Sequence, residues 1–215
     1  MLLYLIRHGE TVWNREHRFQ GRLDMPLNET GLRQARQLAG RMAGVTGVTR
    51  LWCSPLQRAS VTADQIAAAM GLTSEPLPGL EEIDMGLWAG RPVPELLSGP
   101  EGGALRHWLS GDPDAAAPEG ECLRAVGRRT SAALTPLLAN VEGDAAVVAH
   151  GLSLKALIFA LLDLPLAYCR LFDLDNASLS ILRWEPSAPA KLLLLNDTGH
   201  LDVPSGNGAF WEADV

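Results

Sequence analysis

Two apolar runs in this sequence are too short to be helices, and both stop at the same dipeptide. Leu2-Leu3-Tyr4-Leu5-Ile6 leads into Arg7-His8-Gly9, and Ala145-Ala146-Val147-Val148-Ala149 leads into His150-Gly151. An unbroken apolar run of this length marks a strand buried on both faces, as in a parallel sheet covered by helices. The chain between the runs fits that frame. Asn28 offers an N-cap for a helix from about 29 to 43, with Leu32, Ala35, Leu38, Ala39 and Met42 at helical spacing. Val48 to Cys53 reads as a second strand, and Leu56 to Met70 as a helix with Ser54 as cap, Pro55 at its first position and Gly71 closing it. A further helix spans Glu121 to Leu138, with Arg128 and Arg129 on its solvent side and Pro136 kinking or ending it. Another runs from Ser153 to Leu162, followed by strands near Leu179 to Trp184 and Lys191 to Asn196. Strands alternating with helices predict an α/β fold, a three-layer αβα sandwich with a mainly parallel central sheet. One domain is expected over residues 1–215. Residues 71 to 120 are rich in Gly and Pro and show weak periodicity, so they read as a long excursion with one short helix near 104 to 109. Its part from 85 to 120 is the expected cover of a site.

Composition removes several function classes. With 47% apolar and 20% charged residues the chain resembles ordinary water-soluble globular proteins. A net charge of −7, without a basic run or tail, argues against nucleic acid and anionic membrane as partners. Any anion must therefore be held by a local pocket. Cys53, Cys122 and Cys169 are odd in number and form no Cys-x-x-Cys pair, which disfavours a disulfide framework or a zinc knuckle and suits a reducing cytoplasm. The apolar N-terminal run is cut by Arg7 after six residues, so it reads as a strand rather than a signal peptide. A homodimer is compatible with all of this.

In an open α/β sheet, ligands bind outside the carboxyl ends of the strands. Two His-Gly pairs at strand ends can therefore face one crevice. Gly9 and Gly151 would let the backbone approach a ligand, and the N–H groups around Ser153 would suit an anion. Arg7 and Arg58 add positive charge at the same edge. A zinc site on His8 and His150 is the rival reading. It lacks any His-x3-His pair, and two arginines beside it would repel a cation.

Read further, Leu5-Ile6-Arg7-His8-Gly9-Glu10-Thr11 with Asn14 resembles the signature of the histidine phosphatase superfamily, also called phosphoglycerate mutase-like. The resemblance continues through Phe19 to Leu27, Gly31, Gln34-Ala35, Ser54 to Ala59, Thr62-Ala63 and Leu80 to Trp88. It reappears in Glu119 to Cys122, in Val148 to Gly151, and around Asn176 and Asn196 to Leu201. Carried over residue by residue, it implies that His8 is a nucleophile that forms a phosphohistidine. Arg7, Arg58 and His150 would surround the phosphoryl group, and Asn14, Gln20, Gly21, Gly151 and Leu152 would contact it. Glu82 matches the proton donor, leaving Glu81 and Asp84 as bystanders. No metal or other cofactor is implied.

Those roles agree with elementary chemistry. Phosphoryl transfer needs an in-line nucleophile and charge spread over three equatorial oxygens, which two guanidiniums and an imidazole can supply. The chain departs from many phosphatases of the family in Trp88-Ala89-Gly90, where they have Trp-Glu-Gly, and in Gly120-Glu121-Cys122, where they have Gly-Glu-Ser. It lacks the longer basic insertion of the mutase branch between 91 and 120, which favours hydrolysis. The expectation is a metal-independent phosphomonoesterase acting on a small phosphorylated metabolite, with selectivity set by residues 85 to 120 and the loop near 14 to 25. A mutase, and a non-catalytic module that binds a phosphorylated ligand, are the alternatives.

Overall fold

The computed structural model describes residues 1–202. The last thirteen residues of the expected domain, 203–215, lie outside the described residues. The first apolar run is strand β1 (Leu2–Arg7) and the second is β4 (Asp144–Ala149), and they lie side by side in parallel, Leu3 opposite Ala145 and Arg7 opposite Ala149. Beyond β4 come β2 (Val48–Cys53) and the short β3 (Ser74–Pro76), also parallel. On the other flank β5 (Leu179–Glu185) and β6 (Ala188–Asp197) are added antiparallel, giving the order β3-β2-β4-β1-β5-β6. The fold is the expected α/β sandwich.

Alternation along β1 divides its apolar side chains between two cores. Tyr4 and Ile6 face Leu38, Met42, Leu51 and Ile66, which come from β2, α2 (Glu29–Ala43) and α3 (Gln57–Met70). Leu3 and Leu5 face Leu134, Leu138, Leu154 and Leu157 from α6 (Leu123–Leu138) and α7 (Gly151–Leu161). The period of two that hides every side chain of the run is thus what requires helices on both faces. β4 behaves likewise, with Ala146 and Val148 on one side and Ala145 and Val147 on the other.

Two local expectations need correction. Ser54 does not cap α3; Leu56 is the N-cap and makes no side-chain cap bond, while Ser54 faces His150. Pro136 lies inside α6, which ends two residues later at Leu138, the expected end of the helix. The excursion also has more structure than its weak periodicity suggested. After α1 (Val12–Arg15), a single turn capped by Thr11, the excursion carries a 3-10 turn at Gly86–Trp88 and two short helices, α4 (Val93–Ser98) and α5 (Gly102–Leu109). These elements share a third core in which Trp88, fully buried, packs with Phe19 and Trp108 at ring separations of 6.2 Å. Short helices held by one aromatic cluster leave little helical period to read.

Candidate active site

The chain leaves β1 for β2, at the far side of β4, and returns to fill the gap late. The carboxyl ends of β1 and β4 are therefore neighbours, where strand order reverses and a crevice opens. His8 N donates to Ala149 O at 3.0 Å, and the His8 and His150 rings meet edge to face with centroids 5.0 Å apart. The two histidines expected to share a crevice do share it. Two glycines fix the entrance: a Cβ on Gly9 would lie 2.5 Å from Gly31 O, and one on Gly31 would lie 2.1 Å from Glu10 O. Gly9 is thus needed for this backbone contact. Gly151, whose Cβ would meet only Arg7 atoms at 3.7 Å, is under no such constraint.

The protonation of His8 follows from its partners. Nδ1 lies 2.6 Å from Gly9 O, and since a carbonyl only accepts, Nδ1 carries the hydrogen. Burial first, then the charges of Arg58 and Arg7, hold its pKa well below the usual imidazole value. At neutral pH the ring is therefore uncharged, with the Nε2 lone pair available on a side chain that lines the cavity. His150, fully buried, is held low by burial and by the same cations, and its Nε2 lies 2.8 Å from Ser54 Oγ. Asn176 Nδ2 and Ala177 N each donate to His8 O at 3.0 Å, so the segment after α7 braces the histidine backbone.

Both arginines are anchored without exhausting their donors. Arg7 Nη1 donates to Leu174 O. Arg58 uses Nη1 for Leu23 O and Nη2 for Gly21 O, each at 2.8 Å, and burial pushes its pKa down to about 10, still cationic at neutral pH. Gly21 supplies its carbonyl from a backbone with φ +53, a conformation suited to glycine. The amides of Asn14 and Gln20 turn their oxygens inward: Asn14 Oδ1 accepts from Thr11 N at 3.0 Å, and Gln20 Oε1 accepts from Thr11 Oγ1 at 2.9 Å. Each then presents its NH₂ group, the end an anion prefers.

The N–H groups at the start of α7 are taken up by a carboxyl group of the protein itself. Leu152 N and Ser153 N donate to the two side-chain oxygens of Glu82 at 3.2 and 3.0 Å, and Ile83 N adds a third contact at 2.9 Å. Glu82 lines the same cavity as Arg7 and His8, and the space is about 120 Å³. Glu81 instead accepts from Gly79 N, and Asp84 from Gly86 N, so both serve their own loop.

Of the two segments expected to set selectivity, the loop near 14 to 25 lines the cavity with Asn14, His17, Arg18, Phe19, Gln20 and Gly21. Of residues 85 to 120 only Met85 lines the cavity, the remainder lying outside it. Trp13, Phe19 and Leu174 do line it, as do Lys155 on α7 and Asp173, paired at 2.6 Å. Lys155 is almost fully buried, and burial lowers its pKa while the Asp173 carboxylate opposes that shift. It sits in an otherwise apolar helix, and an isolated cation in such a stretch was the one available signal. Arg129 is the clearest correction: it is not on a solvated face but half-buried against residues 79–82, with 18% of its side chain exposed.

The family expected from the motifs is the one found. A model of the histidine phosphatase superfamily, branch 1, matches residues 3–198, and the chain belongs to that superfamily. It is 38% identical over 208 residues to a Yersinia pestis protein named probable phosphoglycerate mutase GpmB, covering 94% of this chain and 96% of that one. The structure of a mycobacterial glucosyl-3-phosphoglycerate phosphatase with VO3 superposes with a TM-score of 0.85 at 30% identity, over 92% of this chain and 99% of the other. The alpha-ribazole phosphatase of Shigella flexneri gives 0.80 at 27% identity, covering 92% and 96%. Phosphoserine phosphatase from Entamoeba histolytica, in complex with 3-phosphoglyceric acid, gives 0.81 at 28%, covering 93% and 98%. Relatives of this chain thus carry the names of phosphatases and of a mutase. Among the described residues no helix is long and apolar enough to cross a membrane.

Proposed function

We propose that the protein is a phosphomonoesterase that hydrolyses a small phosphorylated metabolite through a phosphohistidine on His8, without a metal. The observation that carries this reading is the state of His8: neutral, with its hydrogen fixed on Nδ1 by Gly9 O, and flanked by two cations. The Nε2 lone pair attacks phosphorus while the ester P–O bond breaks. Arg7, Arg58, His150 and the amide NH₂ groups of Asn14 and Gln20 take the charge on the equatorial oxygens. The carboxyl of Glu82 gives its proton to the departing alkoxide. Water then attacks the phosphohistidine, the P–N bond breaks, the water proton passes to Glu82, and inorganic phosphate leaves. Opposite charges on Lys155 and Asp173 at the cavity wall suit a leaving group rich in hydroxyls, which can donate to one and accept from the other.

Rapid quench with a radiolabelled phosphate ester tests the reading. The wild type should trap an acid-labile, base-stable phosphoenzyme, and His8→Ala should lose both it and turnover; full activity in that variant overturns the proposal. The names of the sequence relatives keep a mutase as the second reading. Phosphoglycerate isomerisation faster than phosphate release, with a bisphosphate primer present, would select it. The enzyme is expected in the cytoplasm.

A further inference from the structure

Glu82 lies on neither helix nor strand, but on the irregular segment between β3 and the 3-10 turn at Gly86. A group that must meet a leaving oxygen needs its backbone held from elsewhere. Arg129 of α6 does this with every donor it has. Its Nε donates to Glu121 Oε1 at 3.0 Å. Nη1 donates to Gly79 O and Glu81 O, both at 2.8 Å. Nη2 donates to Glu82 O at 2.9 Å and to Glu121 Oε2 at 3.0 Å. A guanidinium has five N–H donors in a rigid fork, so the set is complete.

Glu121 closes the device. While pairing with Arg129 it accepts from Asp84 N at 3.0 Å, and its own N–H donates to Asp84 O at 2.9 Å. Its Oε1 also accepts from Arg22 on the loop that carries Gln20 and Gly21. The backbone of residues 79 to 84 is therefore gripped at Gly79, Glu81, Glu82 and Asp84, while the Glu82 carboxylate is gripped by α7. We propose that Arg129, with Glu121 as its counter-charge, is the positioning residue that aims Glu82 at the leaving group. It touches carbonyls and a carboxylate, not substrate. A lysine offers three donors from a point and cannot reproduce a five-bond fork.

The inference rests on Glu82 acting as proton donor, and the test separates the two ideas. kcat/KM, which covers the steps up to leaving-group departure, is measured for an alkyl ester such as glycerol phosphate and for 2,4-dinitrophenyl phosphate, whose leaving group departs without a proton. Glu82→Gln should cost on the order of 100-fold on the alkyl ester and little on the aryl ester, as loss of a general acid does. Arg129→Lys and Glu121→Gln should repeat that asymmetry at roughly tenfold or more. Glu82→Gln with Arg129→Lys should be no worse than Glu82→Gln alone, since both act through one proton. Equal losses on both esters in Glu82→Gln would overturn the proton-donor reading, and the positioning role with it. Asymmetry in Glu82→Gln but equal losses in Arg129→Lys and Glu121→Gln, or additive losses in the double variant, would make the clamp merely structural.

Discussion

Two buried neutral histidines make the stability of this protein depend on pH in a way that can be worked out beforehand. His8 and His150 both have their pKa values held well below 6.5, chiefly by burial, and each is almost wholly inaccessible in the folded state. In the unfolded chain each titrates near ~6.5. As pH falls through that value the unfolded state takes up protons that the folded state refuses, so stability is fully present above the unfolded pKa and is lost toward the folded pKa. From pH 6 to pH 5, each histidine contributes a loss of at most about 1.2 kcal/mol, or at most about 2.4 kcal/mol for the pair. His200, also lowered by burial, adds in the same direction. Urea unfolding followed by tryptophan fluorescence in phosphate-free buffer measures this in the wild type and in the His8→Gln, His150→Gln double variant. The wild-type stability should fall more steeply than that of the variant across this interval, by at most about 2.4 kcal/mol. Parallel curves would show that the folded histidines accept protons as readily as the unfolded ones, and the account of a neutral His8 would fail with them.

Gly31→Ala should destabilise by about 1–3 kcal/mol, against the gain of up to ~1 kcal/mol usual for this change in a helix, because its Cβ would meet Glu10 O at 2.1 Å. Thermal unfolding decides the sign. Arg58→Lys keeps the charge but cannot hold Gly21 O and Leu23 O while also forking onto phosphate, so kcat/KM should fall by about one to two orders of magnitude, the worth of a charge-assisted bond of ~1.5–3 kcal/mol. Lys155→Met leaves the Asp173 carboxylate unbalanced on the cavity wall, so KM for a phosphate ester should rise several-fold, and Lys155→Met with Asp173→Asn should recover most of it. Steady-state kinetics on all three proteins checks the pattern.

What the chain determined by itself is local or covered by a motif. The helix over Glu29–Ala43 is found where Asn28 and its apolar spacing place it, and its cap bond to Gly31 N is 2.8 Å. The two His-Gly strand ends announce a common crevice because a short apolar run stopped at once by a polar dipeptide reads as a doubly buried strand, and such strands end where ligands bind. Tertiary structure decided what depends on distant partners. Hydrophobic period marked Arg129 only as off the apolar stripe of α6, which made it look solvated; the carbonyls it binds lie 47 to 50 residues earlier in the chain. Lys155 and Asp173 meet only because α7 and the segment after it fold against each other. The tautomer of His8 is fixed by the direction of one carbonyl. Sequence carries which residues are present and which face of an element is apolar. The aim of a side chain, and the charge state that burial imposes on it, come into being only when the chain has closed around them.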